Sequence, residues 1–224
     1  MVRRTKDEAE ATRNGILDAA ETLFSKRGVS HTSLADIAEA AGVTRGAIYW
    51  HFEDKSDLFT AMVSRVTLPM EEMVARSSDE SVADPLESLK AAAVYTLKRT
   101  ARDPQCQRVL DVVLHKCEYV DDMAGVKRRT HEIQAGCVNR AEKAIRNAIR
   151  RGQLPAGLDA RNAAIGLDAM IYGLISNWLA NRDYIALEKQ AEAVVELLFD
   201  GLHGAGRTRG ATARRKRSAA KSKK

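Results

Sequence analysis

Residues 33–52, SLADIAEAAGVTRGAIYWHF, decide how the rest of the chain is read. Leu34, Ile37, Ala38 and Ala41 recur at helical spacing, and Gly42 then breaks the pattern. A second short helix starts at Thr44, a residue type that caps helix N-termini, and runs to His51. Ala38 allows the two helices to approach closely, Gly42 permits the sharp turn, and Ile37, Val43 and Ile48 supply a small shared core. This is a helix-turn-helix, a unit that holds out its second helix for a DNA major groove. The competing reading is a small three-helix core with aromatic packing. Tyr49, Trp50 and His51, adjacent on so short a helix, weigh against it, because three rings are costly to expose without a partner.

The residue types in and around the second helix suit nucleic acid. Arg45 can pair with a guanine edge or a phosphate. Gly46 and Ala47 let the backbone come near the duplex. Tyr49, Trp50 and His51 can pack on sugars and thymine methyls or hydrogen-bond phosphates, and Lys55 can reach the backbone. The N-terminus of the preceding helix, at Thr32 and Ser33, favours a phosphate. The DNA-contact set expected from sequence is therefore Thr32, Ser33, Thr44, Arg45, Gly46, Tyr49, Trp50, His51 and Lys55.

Outward from this stretch the chain reads as all-α, with about nine helices. Ile16, Leu17, Ala20, Leu23 and Phe24 share a face of a helix from about Asp7 to Lys26, closed by Gly28. A longer helix begins at Asp57 with Leu58, Phe59, Met62, Val63 and Val66 inward, and Pro69 predicts a kink or break near Val66 to Pro69, a natural hinge. Further helices are expected from Pro85 to about Arg102, Pro104 to about Val120, Asp122 to Arg151, Asp159 to Ala180 and Leu187 to Leu202. The last two carry apolar stripes: Ala164, Leu167, Ile171, Leu174 and Trp178, then Leu187, Ala191, Val194, Val195, Leu198 and Leu202. Either both stripes are core within one chain, or one covers the core and the surplus calls for a partner. Residues 1–56 are thus expected to form the DNA-binding domain, 57–204 a larger helical domain that carries these stripes, and 205–224 a disordered basic tail.

Charge sharpens this division. The 224 residues carry a net charge of +6, yet nine Lys or Arg and no acid lie from Arg207 onward, which leaves the remainder at −3. The first 64 residues hold eight basic and ten acidic side chains, so the case for DNA rests on local pattern rather than bulk charge. Three irregularly spaced cysteines and a basic start that leads into Asp7-Glu8 rather than an apolar run predict reduced thiols in a cytoplasmic protein. No apolar stretch is expected to reach the ~20 residues of a membrane span. His115 and Cys117 lack the second ligand pair that zinc needs, and no phosphate-binding glycine loop, nucleophile elbow or zinc-protease motif occurs. The sequence therefore predicts no metal, no cofactor and no enzymatic activity.

The string LADIAEAAGVTRGAIYWHFEDKSDLF, from Leu34 to Phe59, resembles the signature of the TetR family of one-component repressors, whose DNA-binding region would span about residues 10–70. Residues 1–29, LHKCEYVDDM at Leu114 to Met123, and RRGQLPAGLDA at Arg150 to Ala160 resemble the subgroup that represses multidrug efflux pumps. The resemblance implies a homodimer whose N-terminal three helices bind a palindromic double-stranded operator, with half-sites ~34–36 Å or a multiple apart. It implies a larger C-terminal helical domain that binds a small hydrophobic effector and pairs its last two long helices across the dimer. Effector binding would shift the spacing of the recognition helices and release the operator. Positions matching the subgroup's pocket are Leu89, Ala93, Thr96, Leu110, Leu114 and Cys137. The residues themselves add Asp168 and Tyr172, one turn apart on an apolar helix, with Ile171, Ile175 and Ser176 beside them. Leu110 and Leu114 stand where relatives carry polar contacts, which alters the expected ligand range. A family member answering to a cell metabolite and an architectural DNA protein are the alternatives.

Overall fold

A computed structural model describes residues 6–117 and 124–221, apart from the side chains at 124–126, 129 and 206–221. Among these residues there are nine helices and no strand: α1 (Lys6–Arg27), α2 (Leu34–Ala40), α3 (Arg45–His51), α4 (Lys55–Ser77), α5 (Pro85–Arg102), α6 (Pro104–His115), α7 (Ala124–Arg150), α8 (Ala160–Ala180) and α9 (Leu187–Lys221). They divide into two compact units, Met1–Leu68 with Asp103–Ile133, and Pro69–Arg102 with Gln134–Lys224.

In the first unit α1 buries Ile16, Leu17, Ala20 and Phe24. It stops at Gly28, whose φ of +81° lies in the left-handed region that favours glycine and whose N–H donates to the Phe24 carbonyl at 2.9 Å. Ser33 and Asp36 form a capping box at the start of α2, each side chain taking the other's backbone N–H. Gly42, with φ +65°, makes the turn, and Val43 N–H donates back to the Ala38 carbonyl at 3.0 Å. Thr44 then caps α3 by accepting the Ala47 N–H. Ile37 and Ala38 of α2 and Ile48 of α3 are buried, and they pin the two short helices. Phe52, in a stretch that looks polar in sequence, is buried, with the Arg13 guanidinium 5.1 Å from its ring centroid. Asp54 accepts the Asp57 N–H at 2.7 Å and Asp57 accepts the Glu53 N–H, so α4 starts at Lys55, two residues before the expected start.

A charged network that the sequence did not announce sits inside this unit. Glu21 of α1 is 1% exposed. Its carboxylate pairs with Arg65 of α4, accepts the Gln105 amide of α6 at 2.9 Å, and lies 3.7 Å from Arg108. Burial pulls the Arg65 guanidinium's pKa down, but Glu21 and Asp18 more than offset it and hold it above its ordinary value. The end of α6 is also tied to α1 and the loop after it: Lys116 Nζ donates to the Ser25 carbonyl at 2.8 Å, and Val29 N–H donates to the Lys116 carbonyl at 3.3 Å.

In the second unit α5 and α9 run antiparallel, since Lys90, Lys98 and Arg102 pair in turn with Glu196, Glu192 and Glu188. Leu187, Ala191, Val195 and Phe199 form the buried stripe of α9, while Val194, Leu198 and Leu202 are only half-buried. Gly152, at φ +76°, closes α7 as its N–H reaches the Ile149 carbonyl.

Several sequence expectations are corrected. Pro69 does not break α4, which continues from Lys55 to Ser77. A proline inside a helix costs about 3 kcal/mol, and burial of Val66 and Met70 on either side of it favours the unbroken helix. The helix from Pro104 ends at His115, not near Val120; Val120 and the expected next start at Asp122 lie outside the described residues. The basic segment expected to be disordered is helical to Lys221, its Ala, Arg and Lys being strong helix formers that propagate a helix already nucleated. Finally, α8 is long and apolar enough to cross a membrane by length and composition alone, with one third of its most apolar window buried.

Candidate nucleic-acid interface and effector cavity

Helix α3 buries one residue, Ile48, and turns the others outward or to the margin. Arg45 and Gly46 are exposed, Tyr49 is 49% exposed and Trp50 73%. The Trp50 and His51 rings meet edge-on with centroids 4.6 Å apart, so the large aromatic surface is braced rather than loose. At Gly46 an added Cβ would meet only Thr44 Oγ1, at 4.0 Å; nothing within the chain requires glycine there.

Other residues of the expected contact set are already engaged. Thr32 is buried, and its hydroxyl donates to the Gly28 carbonyl at 2.8 Å. The Thr32 side chain thus closes the α1–α2 turn. Ser33 Oγ and N–H both donate to Asp36 Oδ2, at 2.6 and 2.8 Å. Those hydrogen bonds hold the Asp36 carboxyl below the usual carboxylate range. The start of α2 thus already has its own anion, which disfavours a phosphate. The Thr44 hydroxyl serves as the cap of α3, and Lys55 Nζ donates to the Val29 carbonyl at 3.3 Å.

This compact N-terminal unit, with a short capped helix presenting Arg45, Tyr49 and Trp50, carries the matching sequence in residues 16–62, which correspond to the family described as bacterial regulatory proteins, tetR family. Residues 84–203 match the family described as MAATS-type transcriptional repressor, C-terminal region. The chain belongs to the TetR family. Among its relatives, the HTH-type transcriptional regulator TtgR of Pseudomonas putida is 41% identical over 202 residues, 90% of this chain and 96% of the relative. The fold matches the crystal structure of NalD, the secondary repressor of the MexAB-OprM multidrug efflux pump in Pseudomonas aeruginosa, with a TM-score of 0.80, 36% identity and coverage of 88% of this chain and 98% of NalD. It also matches a SmeT–triclosan complex at TM-score 0.79, 30% identity and coverage of 85% and 91%; SmeT is the repressor of the Stenotrophomonas maltophilia multidrug efflux pump SmeDEF. A TetR family member is a transcriptional regulator, not an enzyme.

The second unit of this TetR protein holds a small, partly open cavity of about 50 Å³. Five of the expected effector residues line it: Leu89 and Ala93 from α5, Cys137 from α7, and Asp168 and Ile171 from α8. Val74, Val138, Ala141, Ala164 and Leu167 complete the wall. Ala164 and Leu167 were legible only as a core stripe, and Val74 was hidden beyond the expected break at Pro69. Thr96 lies about one turn beyond Ala93 and spends its hydroxyl on the Ala92 carbonyl. Ile175 is buried, Ser176 half-buried and Tyr172 50% exposed, all outside the lining. Leu110 and Leu114 are half-buried on α6, in the first unit.

The cavity wall is apolar except at one side. Asp168 Oδ2 accepts the Gln134 amide at 2.9 Å. Arg140 reaches the Cys137 sulfur at 3.4 Å and Glu71 at 3.6 Å. Burial pushes the Cys137 thiol up; Arg140 opposes this in part, while Glu71 and Asp168 add to it. Cys137 is therefore a protonated, apolar-like wall group at neutral pH rather than a reactive thiolate. His115 Nδ1 lies 2.9 Å from Asp111 Oδ1.

Proposed function

We propose that the chain is a ligand-responsive repressor that binds a palindromic operator as a homodimer, releases it when a small apolar molecule enters the α4–α5–α7–α8 cavity, and controls a multidrug efflux pump operon. The observation that carries this reading is the surface of α3: an arginine and two large aromatic rings exposed on a helix whose single buried anchor is Ile48. Such a surface gains most from base edges, sugars and methyl groups. Arg45 is the base-reading residue in this view, Tyr49, Trp50 and His51 pack on the backbone, and Gly46, whose Cβ would touch little within the protein, leaves room for the duplex. The DNA-reading part then falls within residues 1–56, and 57–204 bind effector and pair the subunits.

Dimerisation is supported by apolar side chains on α8 and α9: Ile165 and Tyr172 are about half exposed, and Leu197 is 74% exposed. Their burial against a second copy explains an α8 that is more apolar than one core face needs. Effector control is supported by a wall that is apolar with a single carboxylate, Asp168. The efflux assignment comes from NalD and SmeT, and the SmeT complex makes triclosan the first effector to try.

The test is a mobility shift on the promoter duplex of the adjacent transporter genes, with and without triclosan. Tight, competitor-resistant binding by the parent, lost in Arg45→Ala and released by triclosan or another apolar drug, is the expected result. Equal affinity for unrelated duplexes, or binding that no apolar compound disturbs, would sink the proposal.

A further inference from the structure

The recognition unit brings little positive charge to a polyanion. Its first 64 residues carry two more acids than bases. Of the cations beside α3, Lys55 already donates to a backbone carbonyl, which leaves Arg45 as the exposed cation of that helix. Yet affinity for duplex DNA is dominated by phosphates neutralised and counterions released. The charge lies elsewhere: Arg207 to Lys224 contains nine Lys or Arg, no Asp or Glu, and no Leu, Ile, Val, Met, Phe, Tyr or Trp. It has nothing with which to build a core, and it lies beyond the region matched by the repressor family, which ends at residue 203.

Residues 207–221 are the far end of a helix that is firmly seated nearer its start. α9 is held along α5 by three ion pairs and by Leu187, Ala191, Val195 and Phe199, the last fully buried. Packing fades beyond that point: Leu202 and His203 are half-buried, and Gly204 and Ala205 are exposed. The helix nevertheless continues to Lys221. A segment that has no acid in its sequence thus follows on from the seated part of α9.

We propose that residues 207–224 are a second, sequence-independent contact for duplex DNA, separate from the base-reading helix α3. The segment adds counterion release to the little that the N-terminal unit contributes around α3. It raises affinity for any duplex, and base preference stays with α3. This inference does not rest on the identity of the operator or the effector, because its probe is DNA of arbitrary sequence.

The experiment uses the full-length protein, a version ending at residue 206, and the full-length quadruple variant Arg214→Gln, Arg215→Gln, Lys216→Gln, Arg217→Gln. The quadruple variant keeps chain length and helix-forming residues, so it separates charge from truncation. Binding to a short mixed-sequence duplex is measured by fluorescence anisotropy across a salt series. A contact neutralising about 6–10 phosphates loses roughly 10³–10⁵ in affinity between ~50 and ~200 mM salt. The expected result is a clear loss of salt slope on deletion, an intermediate loss in the quadruple variant at about 0.9 in slope per phosphate contact removed, and an unchanged thermal melt. An unchanged slope in both altered proteins would overturn the proposal and leave the segment a solubilising one. So would retention of the segment by anionic lipid vesicles with no effect on duplex binding.

Discussion

Replacing Glu21 by alanine should be among the most damaging single changes in the first unit, although Glu21 lies far along the sequence from the recognition helix. Its carboxylate is almost fully buried and holds Arg65, the Gln105 amide and, at longer range, Arg108. Breaking a buried ion pair by removing one partner costs about 3–5 kcal/mol, because the other charge is left desolvated. Arg65 keeps Asp18 at 2.8 Å and its side chain is 22% accessible, so part of that loss is recovered by water and by the surviving carboxylate. A destabilisation of about 3 kcal/mol follows, which for a chain of this size lowers Tm by roughly 6–12 °C. Glu21→Gln keeps the volume and an acceptor and should cost about half as much. The double variant Glu21→Leu, Arg65→Met replaces the pair with apolar groups and should recover most of the loss, because burial of both charges is itself unfavourable. Urea unfolding of the four proteins, followed by fluorescence and by circular dichroism, reads these values. A Glu21→Ala protein within about 1 kcal/mol of the parent, or a double variant less stable than Glu21→Ala, would refute the assignment of Glu21 as a buried electrostatic junction of α1, α4 and α6.

The remaining predictions concern the interface, the cavity, the turn and acid. Arg45→Ala should weaken operator binding by ~1–3 kcal/mol and relax base preference without changing Tm, as read by anisotropy on operator and single-base variants; equal loss on every sequence would count against a base contact. Gly42→Ala places a Cβ at φ +65° and should lower stability by about 1–2 kcal/mol in a thermal melt; no change would mean that the turn has relaxed. Ala93→Val fills part of the ~50 Å³ void, and a void of that size is worth about 1 kcal/mol; Tm should hold or rise slightly while operator release needs more effector, and a fall of several degrees would show that the wall cannot take the added methyls. Asp36, Asp79, Asp84, Asp111 and Glu192 have depressed carboxyl pKa values. Hydrogen bonds cause this at the first three; at Asp111 burial opposes it and His115 and Lys116 prevail; at Glu192 the cause is Lys98. Their stabilisation is complete above the ordinary carboxylate pKa of ~3.9–4.3 and is lost as pH falls through the lower native values. Urea midpoints should therefore be flat from neutral pH to about 5 and fall steeply below about 4; a flat profile to about pH 3 would contradict the shifts.

Local signals in the sequence translated well into structure where one residue type answers one geometric need. Gly28, Gly42 and Gly152 all take positive φ at helix ends, and Thr44 caps the helix it was expected to cap. The apolar periodicity of α1 and of the start of α4 marks residues that are buried, save Leu23, which is half-buried. Failures occur where several weak forces compete. Pro69 reads as a break because local sterics are all that a sequence displays, whereas burial of its neighbours is a tertiary contribution. Phe52 reads as part of a polar link because its cover, including Arg13, comes from a distant helix. Nothing local sets Glu21 apart from an ordinary charge on an amphipathic helix, and its partners are 44 and 84 residues away. Thr32 and Ser33 have the right chemistry for a phosphate, but hydroxyls that can cap a turn satisfy the adjacent backbone first.

The cavity carries the same lesson into function. Its wall was half legible, since small and apolar residues at helical spacing mark both a pocket and an ordinary core. What separates the two is volume, and the volume here is about 50 Å³, against the roughly 300 Å³ or more that a drug-sized ligand occupies. In the function proposed above, the structure stands for the ligand-free form of the second unit, with the site closed. A ligand that binds there must part α5, α7 and α8, and the work of parting them subtracts from its affinity. That work also makes the site a switch rather than a store: a ligand with equal affinity for closed and open forms shifts nothing, whereas one that fits only the open form shifts the population by its whole binding energy. Asp168, bonded to Gln134 across the α7–α8 side of this wall, is a polar contact that such opening has to strain or break. The small void and the Ala93→Val prediction are thus two views of one quantity, the free energy separating the closed form from the one that holds a ligand.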